Sequence, residues 1–194
     1  FAMLIGSEIY GNSLKAGYTS ADSIYPPAVL KNTDNTGVTA YDLTAAKELF
    51  AKEILKLEDK KFPTDIKLYY YENGVIKPVI TDIAGHWQNN LGAFINIEAV
   101  SSAEKLIPEL KNQTLTMAVF PVRAESDVLS EYLENFAEVS GNNPTEIQNN
   151  ILKGNNIFPL LFQNTTIAYS QSLSDVTTTL GNGYIDFSFI VKTE

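Results

Sequence analysis

The chain has 194 residues and a formal net charge of −9, with 44% hydrophobic and 19% charged residues. This length and hydrophobic content predict a folded protein with a sizeable core and exclude a disordered chain. The excess of acidic side chains repels phosphate backbones, so nucleic acid is excluded as a partner. The absence of cysteine and the single histidine exclude disulfides, thiolate nucleophiles and multi-histidine metal sites, and we expect no cofactor and no metal.

The beginning of the chain predicts two helices separated by a long loop. Residues 1–15 place apolar side chains on one face without a preceding cap, so we expect a helix cut from a larger protein. Residues 16–40 are rich in Gly, Pro, Asn and Asp, which predicts a long irregular segment. Asp42 then caps a helix that runs to about Lys56, and its apolar stripe indicates one buried face.

Helices and strands alternate through the middle of the chain. The β-branched and aromatic residues 66–71 predict a strand, and apolar side chains at helical spacing predict a helix over 78–91. Strands are expected over 94–100 and 114–120, with a short helix between them. This alternation predicts an α/β (α+β) fold with a mixed, at least partly parallel β-sheet flanked by helices.

The last third of the chain predicts two further helices and several short strands. Residues 126–139 predict a helix, and Asn143 with Glu146 forms a capping box for another helix that ends at Gly154. The expected strands are 157–162, 167–169 and 184–191.

Side chains that could carry catalysis are few. His86 is the only histidine, and its position on a polar flank of the predicted helix indicates a partly exposed helix residue. Carboxylate pairs can hydrolyse glycosidic bonds, and Glu125 with Asp127 lies between a strand and a helix, where ligands often bind in α/β sheets. The same pair could simply cap and solvate the helix. A carbohydrate-active or other hydrolase is therefore an alternative, and we expect no catalytic residues.

Three consecutive tyrosines lie in the predicted strand 66–71. Because side chains alternate between the two faces of a strand, Tyr69, Tyr70 and Tyr71 cannot all face the core. At least one of them must meet solvent, another domain or a ligand. An extracellular adhesion or scaffold domain that uses this strand is the other alternative.

Several stretches of the chain resemble one family in order and spacing. Gly17–Pro27 reads Gly-Tyr-Thr-Ser-Ala-Asp-Ser-Ile-Tyr-Pro-Pro, and Tyr41–Phe50 reads Tyr-Asp-Leu-Thr-Ala-Ala-Lys-Glu-Leu-Phe. His86–Glu98 contains Trp-Gln-Asn-Asn-Leu-Gly before a strand, and Ile157–Phe162 lies near a final strand. The chain resembles the C-terminal lobe of the oligopeptide-binding proteins, the family 5 extracellular solute-binding proteins of ABC importers.

The resemblance implies that residues 1–194 are one lobe of a two-lobed clamshell of the periplasmic-binding-protein type. Its partners would be the missing N-terminal lobe, an ABC permease and a peptide or other small solute. The protein would lie at the extracellular face of the membrane or in the periplasm, with a lipid anchor on the missing part. The loop 16–40 would lie near the cleft or hinge, and the tail 167–194 would belong to the other lobe.

The resemblance also implies where the ligand binds, and there the chain departs from the family. Peptide-binding members often read Gly-Trp-x-Ala-Asp-Tyr after the strand that corresponds to 114–120, and the acidic residue can anchor a peptide amino terminus. Here Glu125 could substitute for it, whereas Arg123 suits a carboxylate or another anion. The candidate ligand-binding residues of this segment and of the loop 16–40 are Tyr18, Tyr25, Phe120, Arg123, Glu125 and Asp127.

Overall fold

The computed structural model describes most of the first two thirds of the chain and shorter pieces of the remainder. The described residues are 1–26, 30, 40–72, 74–112, 117–122, 133–134, 139–154, 157–163, 173–174, 177–178, 185–186 and 191–192. The predicted strand 167–169 lies outside them, and so does most of the predicted helix 126–139.

The described elements alternate as the sequence predicts. The α-helices are α1 (Ser7–Tyr10), α2 (Leu43–Ile54), α3 (Ile76–Leu91), α4 (Leu106–Lys111) and α5 (Pro144–Lys153). The strands are β1 (Tyr18–Ser20), β2 (Lys67–Tyr71), β3 (Asn96–Val100), β4 (Met117–Val119), β5 (Leu161–Gln163), β6 (Leu173–Ser174), β7 (Thr177–Thr178), β8 (Ile185–Asp186) and β9 (Val191–Lys192). Short 3-10 turns occur at Ala2–Leu4, Gly11–Ser13 and Ala103–Lys105.

A parallel sheet of the order β3-β2-β4 forms the centre of the fold. Leu68 of β2 lies opposite Ile97 of β3 and Met117 of β4, so the three strands run in register in one direction. The intervening helices return the chain to the start of the next strand, as parallel pairing requires. The predicted partly parallel sheet flanked by helices is confirmed.

Smaller antiparallel pairs complete the mixed architecture. β1 pairs with β5 across more than 140 residues of sequence, and Tyr18 lies opposite Gln163. Near the end of the chain, β6 pairs with β9 and β7 pairs with β8. The predicted strand 184–191 is therefore described at two places, residues 185–186 and residue 191, which have different partner strands.

Helix α3 carries the main hydrophobic core. It begins two residues before the predicted start, so Pro78 lies in its first turn, where its missing N–H costs no hydrogen bond. It ends at Leu91, and Gly92 caps it with a φ of 67°, the left-handed conformation that glycine adopts readily. Side chains at i, i+3, i+4 spacing pack against the sheet, as predicted, and the buried ones are Ile76, Val79, Ile80, Ile83 and Trp87.

Helix α2 follows the prediction at its start and departs from it along its length. The Asp42 carboxylate accepts a hydrogen bond from the Ala45 N–H at 2.9 Å, which confirms the predicted cap. The helix ends at Ile54, and its apolar stripe is buried only in part. Ala46 is buried, whereas Leu49 is 51% exposed and Leu57, beyond the helix end, is 40% exposed. The expectation that the whole stripe is buried is wrong, because the helix lies at the surface of the fold.

The first fifteen residues are not one helix, so that prediction is wrong. Ile5 and Gly6 adopt extended backbone conformations between the first 3-10 turn and α1, and a second 3-10 turn follows α1 directly. The breaks let Leu4 and Tyr10 both point into the core, although their spacing does not fit one face of a continuous helix.

A second, smaller hydrophobic cluster lies apart from α3. It is formed by Tyr25, Leu30, Leu133 and Ile151, and it joins the loop after β1 to helix α5. α5 starts as predicted: Asn143 accepts a hydrogen bond from the Glu146 N–H at 3.0 Å. The carboxylate of Glu146 accepts from the N–H of Asn142 at 2.9 Å, one residue before the N–H of Asn143 that a capping box normally uses.

Candidate functional site

The carboxyl ends of the three parallel strands define one edge of the central sheet. In open α/β sheets this is the edge at which ligands bind. Phe120 follows β4 directly at this edge and is half-buried. The turn after β2 lies at the same edge, where the Glu72 N–H donates to the carbonyl of Val100 at the end of β3.

The N-terminal segment is attached to this same edge. The ammonium group of Lys15 donates to the carbonyl of Gly74, in the turn after β2, at 2.7 Å. Ser13 donates its hydroxyl hydrogen to the carboxylate of Asp82 in the first half of α3. β1 begins at Tyr18, three residues after Lys15. Lys15 and Ser13 thus hold the segment that precedes β1 against the turn after β2 and against α3.

Tyr10 attaches the start of the chain to the β1–β5 pair. Its hydroxyl lies 2.8 Å from Ser20 Oγ of β1 and donates to the carbonyl of Leu160, beside β5, at 3.1 Å. The side chain is 1% exposed, and this burial raises the pKa of the Tyr10 phenol because the anion would lose its solvation. The ring belongs to the main core, so this one residue links the core to β1.

We call residues 18–25 the β1 segment. A backbone hydrogen bond near β5 and a side chain of α5 hold this segment in place. The Ala21 N–H donates to the carbonyl of Leu160 at 3.0 Å, which extends the pairing with β5. Further along, Gln148 Oε1 of α5 accepts hydrogen bonds from the N–H groups of Ile24 at 2.9 Å and Tyr25 at 3.4 Å.

The candidate ligand-binding residues occupy different environments. Tyr18 is half-buried on β1, whereas Tyr25 is 1% exposed in the second hydrophobic cluster. Tyr25 therefore packs the β1 segment against α5. Arg123, Glu125 and Asp127 lie outside the described residues. For these three residues the ligand-binding role stays a prediction.

Other side chains that could carry chemistry have structural partners. His86 is half-buried on α3, with the Tyr41 hydroxyl 3.2 Å from its Nε2 and the Asn90 amide 3.2 Å from its Nδ1. Glu98 pairs with Lys67 at 2.8 Å on the exposed face of the sheet. Among the described residues, no group of three or more His, Asp or Glu side chains could hold a metal ion.

The tyrosine-rich strand β2 follows the alternation of its backbone. Tyr70 is buried, and Tyr69 and Tyr71 are half-buried on the opposite face, so the expectation that the three cannot share the core is confirmed. Burial raises the pKa of the Tyr70 phenol, and the neighbouring Glu72 carboxylate adds to the effect.

Trp87 is a core residue rather than part of a ligand surface. It is 4% exposed, and its ring meets that of Phe1 edge to face at a centroid distance of 5.0 Å. Phe1 also contacts Phe50 and Phe62, at 5.9 and 5.7 Å, so four aromatic rings form one cluster. Trp87 therefore anchors helix α3 in the core.

Two residues that hold the segments before and after β1 in place were not predicted from the sequence. Gln148 shares the buried face of α5 with Ile151 and Leu152, and a polar side chain on an apolar stripe is a signal that could have revealed it. Lys15 gave no comparable signal, because its partner is a backbone carbonyl 59 residues away.

Comparison with known proteins gives similarity at the level of the fold. No protein-family model matches the chain, and no curated protein matches it. Among solved structures, the pheromone receptor PrgZ, described with its mode of peptide binding, aligns with all of this chain at a TM-score of 0.62 and 12% identity. OppA of Burkholderia pseudomallei aligns with 78% of the chain at a TM-score of 0.53 and 16% identity.

The chain therefore shares its mixed α/β fold with the aligned parts of PrgZ and OppA. It spans 44% of the length of PrgZ and 29% of the length of OppA. Neither of these proteins is described as an enzyme. Within the described residues, no helix is both long enough and apolar enough to cross a bilayer.

Proposed function

We propose that the chain is the C-terminal lobe of an extracellular solute-binding protein that captures a peptide or another small solute for an ABC importer. The observation that carries this proposal is the fold that all 194 residues share with a receptor described by its mode of peptide binding. The remainder of the protein would supply the opposite lobe, and an ABC permease would receive the solute. The protein would act outside the cytoplasmic membrane, held there by a lipid on the preceding segment.

The solute would bind between the carboxyl edge of the central sheet and the opposite lobe. Tyr18 and Phe120, which are both half-buried, would offer aromatic surface to the solute. The segment that follows β4 would supply charge. Arg123 would pair with a carboxylate of the solute, and Glu125 with Asp127 would pair with an amino group.

Binding of this kind needs no covalent chemistry. The two lobes would close over the solute by a hinge motion, and the free energy of binding would come from contacts with both lobes. The isolated chain would then bind the solute weakly or not at all, because half of the contacts would be missing.

The test uses the product of the full reading frame that contains this chain. The protein is purified without denaturation, and mass spectrometry identifies small molecules that accompany it. We expect intact peptides, and we expect about tenfold or greater loss of affinity in Arg123→Ala and Glu125→Ala, since charge-assisted hydrogen bonds are the strong ones. Glu58→Ala removes a carboxylate from the exposed turn after α2 and is the matched control.

Three results would contradict the proposal. A protein that carries neither a peptide nor another small solute, and that binds none in solution, would not be a solute receptor. Peptides or oligosaccharides that are cleaved on incubation would instead support the hydrolase alternative, provided that Glu125→Ala and Asp127→Ala abolish the cleavage. Equal losses of affinity in Glu58→Ala and Arg123→Ala would show that the charged segment after β4 does not bind the solute.

A further inference from the structure

Gln148 is a buried polar side chain in an otherwise apolar place. It is 1% exposed and lies on the same face of α5 as Ile151 and Leu152, which are also buried. A glutamine amide that leaves water without partners loses free energy, and a leucine or methionine would fill the same volume without that loss. The position therefore needs a specific reason for a polar group.

The reason is found in the backbone of the β1 segment. Ile24 and Tyr25 follow Ala21, whose N–H donates to the carbonyl of Leu160 beside β5. Gln148 Oε1 accepts from the N–H groups of Ile24 and Tyr25, at 2.9 and 3.4 Å. Ser23, which is also 1% exposed, donates its hydroxyl hydrogen to the carbonyl of Tyr25 at 2.7 Å. A helix cannot supply acceptors from its own backbone here, because its carbonyls are used within the helix.

These bonds fix one end of the segment that carries Tyr18. The other end is fixed by the pairing of β1 with β5, in which Tyr18 lies opposite Gln163. Strand pairing and the glutamine amide thus hold residues 18–25 from two sides. Tyr25 also packs in the hydrophobic cluster beside α5, and its burial further stabilises the end of the segment that Gln148 binds.

We propose that Gln148 is a positioning residue for solute binding, and this rests on the proposed function of the chain as a receptor lobe. By holding the β1 segment in one shape, Gln148 would keep Tyr18, a proposed solute contact, in place before the solute arrives. The solute then binds without first ordering the segment, which would weaken its binding. Gln148 itself does not touch the solute.

The experiment compares Gln148→Met with the wild type in the full-length product. Methionine keeps the length and volume of the side chain and removes the strong acceptor. We expect faster hydrogen exchange at the amides of Ile24 and Tyr25, and about tenfold weaker binding of the peptides that the wild type carries. Asn150→Ala is the control: it removes an exposed bond from the same helix to the carbonyl of Ser140, and we expect binding within about twofold of the wild type.

A double-mutant cycle separates positioning from general destabilisation. If Gln148 acts through Tyr18, then Tyr18→Ala costs clearly less affinity in the Gln148→Met protein than in the wild type. Ser23→Ala is the second variant, for use if Gln148→Met does not fold. It removes one bond of the same set, and we expect a smaller loss of affinity, about threefold.

The outcomes are distinct. Faster amide exchange with unchanged affinity in both variants would show that Gln148 is structural only and would overturn the inference. Additive losses in the cycle would do the same, because Gln148 would then not act through Tyr18. A wild-type protein that binds neither a peptide nor another small solute would overturn the proposed function as well, and this result appears before any variant is compared.

Discussion

The hydroxyl of Tyr10 gives the most direct test of how the β1 segment is attached to the core. In Tyr10→Phe the ring stays and no cavity forms, so only the bonds to Ser20 Oγ and to the carbonyl of Leu160 are lost. Each such bond contributes about 0.5–1.5 kcal/mol net to stability. The variant should therefore be about 1–3 kcal/mol less stable than the wild type, and for a chain of this size that lowers Tm by roughly 2–12 °C.

The assay is urea denaturation of the 194-residue chain at pH 7, followed by the fluorescence of Trp87, its only tryptophan. Tyr71→Phe is the control, since it makes the same chemical change at a half-buried tyrosine whose hydroxyl contacts no hydrogen-bond partner among the described residues. We expect the control to stay within about 0.5 kcal/mol of the wild type. A loss below that limit in Tyr10→Phe, or an equal loss in Tyr71→Phe, would refute the reasoning.

Three further predictions concern stability. Asp42→Ala removes the cap of α2, and the free energy of unfolding should fall by about 1 kcal/mol, with Asp42→Asn close to the wild type in the same urea titration. Trp87→Ala opens the aromatic cluster, and calorimetry should show a loss of about 3–5 kcal/mol, whereas the same loss in Leu55→Ala, at an exposed position, would contradict it. Burial raises the pKa of Tyr10 and of Tyr70 above the ordinary value of 10.0. The two neutral phenols therefore contribute fully to the free energy of unfolding below pH 10, and this contribution is lost as the pH rises through the raised pKa values. The Tm should therefore fall between pH 8 and pH 11, and it should fall less steeply with pH in Tyr10→Phe. An equal fall of Tm in the variant and the wild type would contradict the role given to Tyr10.

The features predicted correctly from the sequence are those with local signals. The stripe of α3, the cap at Asp42 and the start of α5 at Asn143 depend on residues within a turn or two of each other. The parallel sheet followed from the alternation of such elements, because strands separated by helices pair in parallel.

The features that were missed depend on distant parts of the chain. Whether Leu49 is buried depends on what packs over α2, and the broken helix at residues 1–15 depends on two core positions that Leu4 and Tyr10 must both reach. Gln148 pairs with backbone groups 123 and 124 residues away, and no spacing rule connects them. The burial of Tyr25 beside α5 likewise depends on a contact with a distant helix, and its role in ligand binding stays a prediction.

The central claim is that this chain is one lobe of a receptor that captures a peptide or another small solute without changing it. Isothermal titration calorimetry of the full-length product, with the peptides that it carries, tests this most directly. We predict saturable binding of one peptide per protein, a negative heat-capacity change from buried apolar surface, and recovery of the peptide intact. Absence of binding with every peptide and every other small molecule that accompanies the protein, or cleavage of the bound molecule, would contradict the claim.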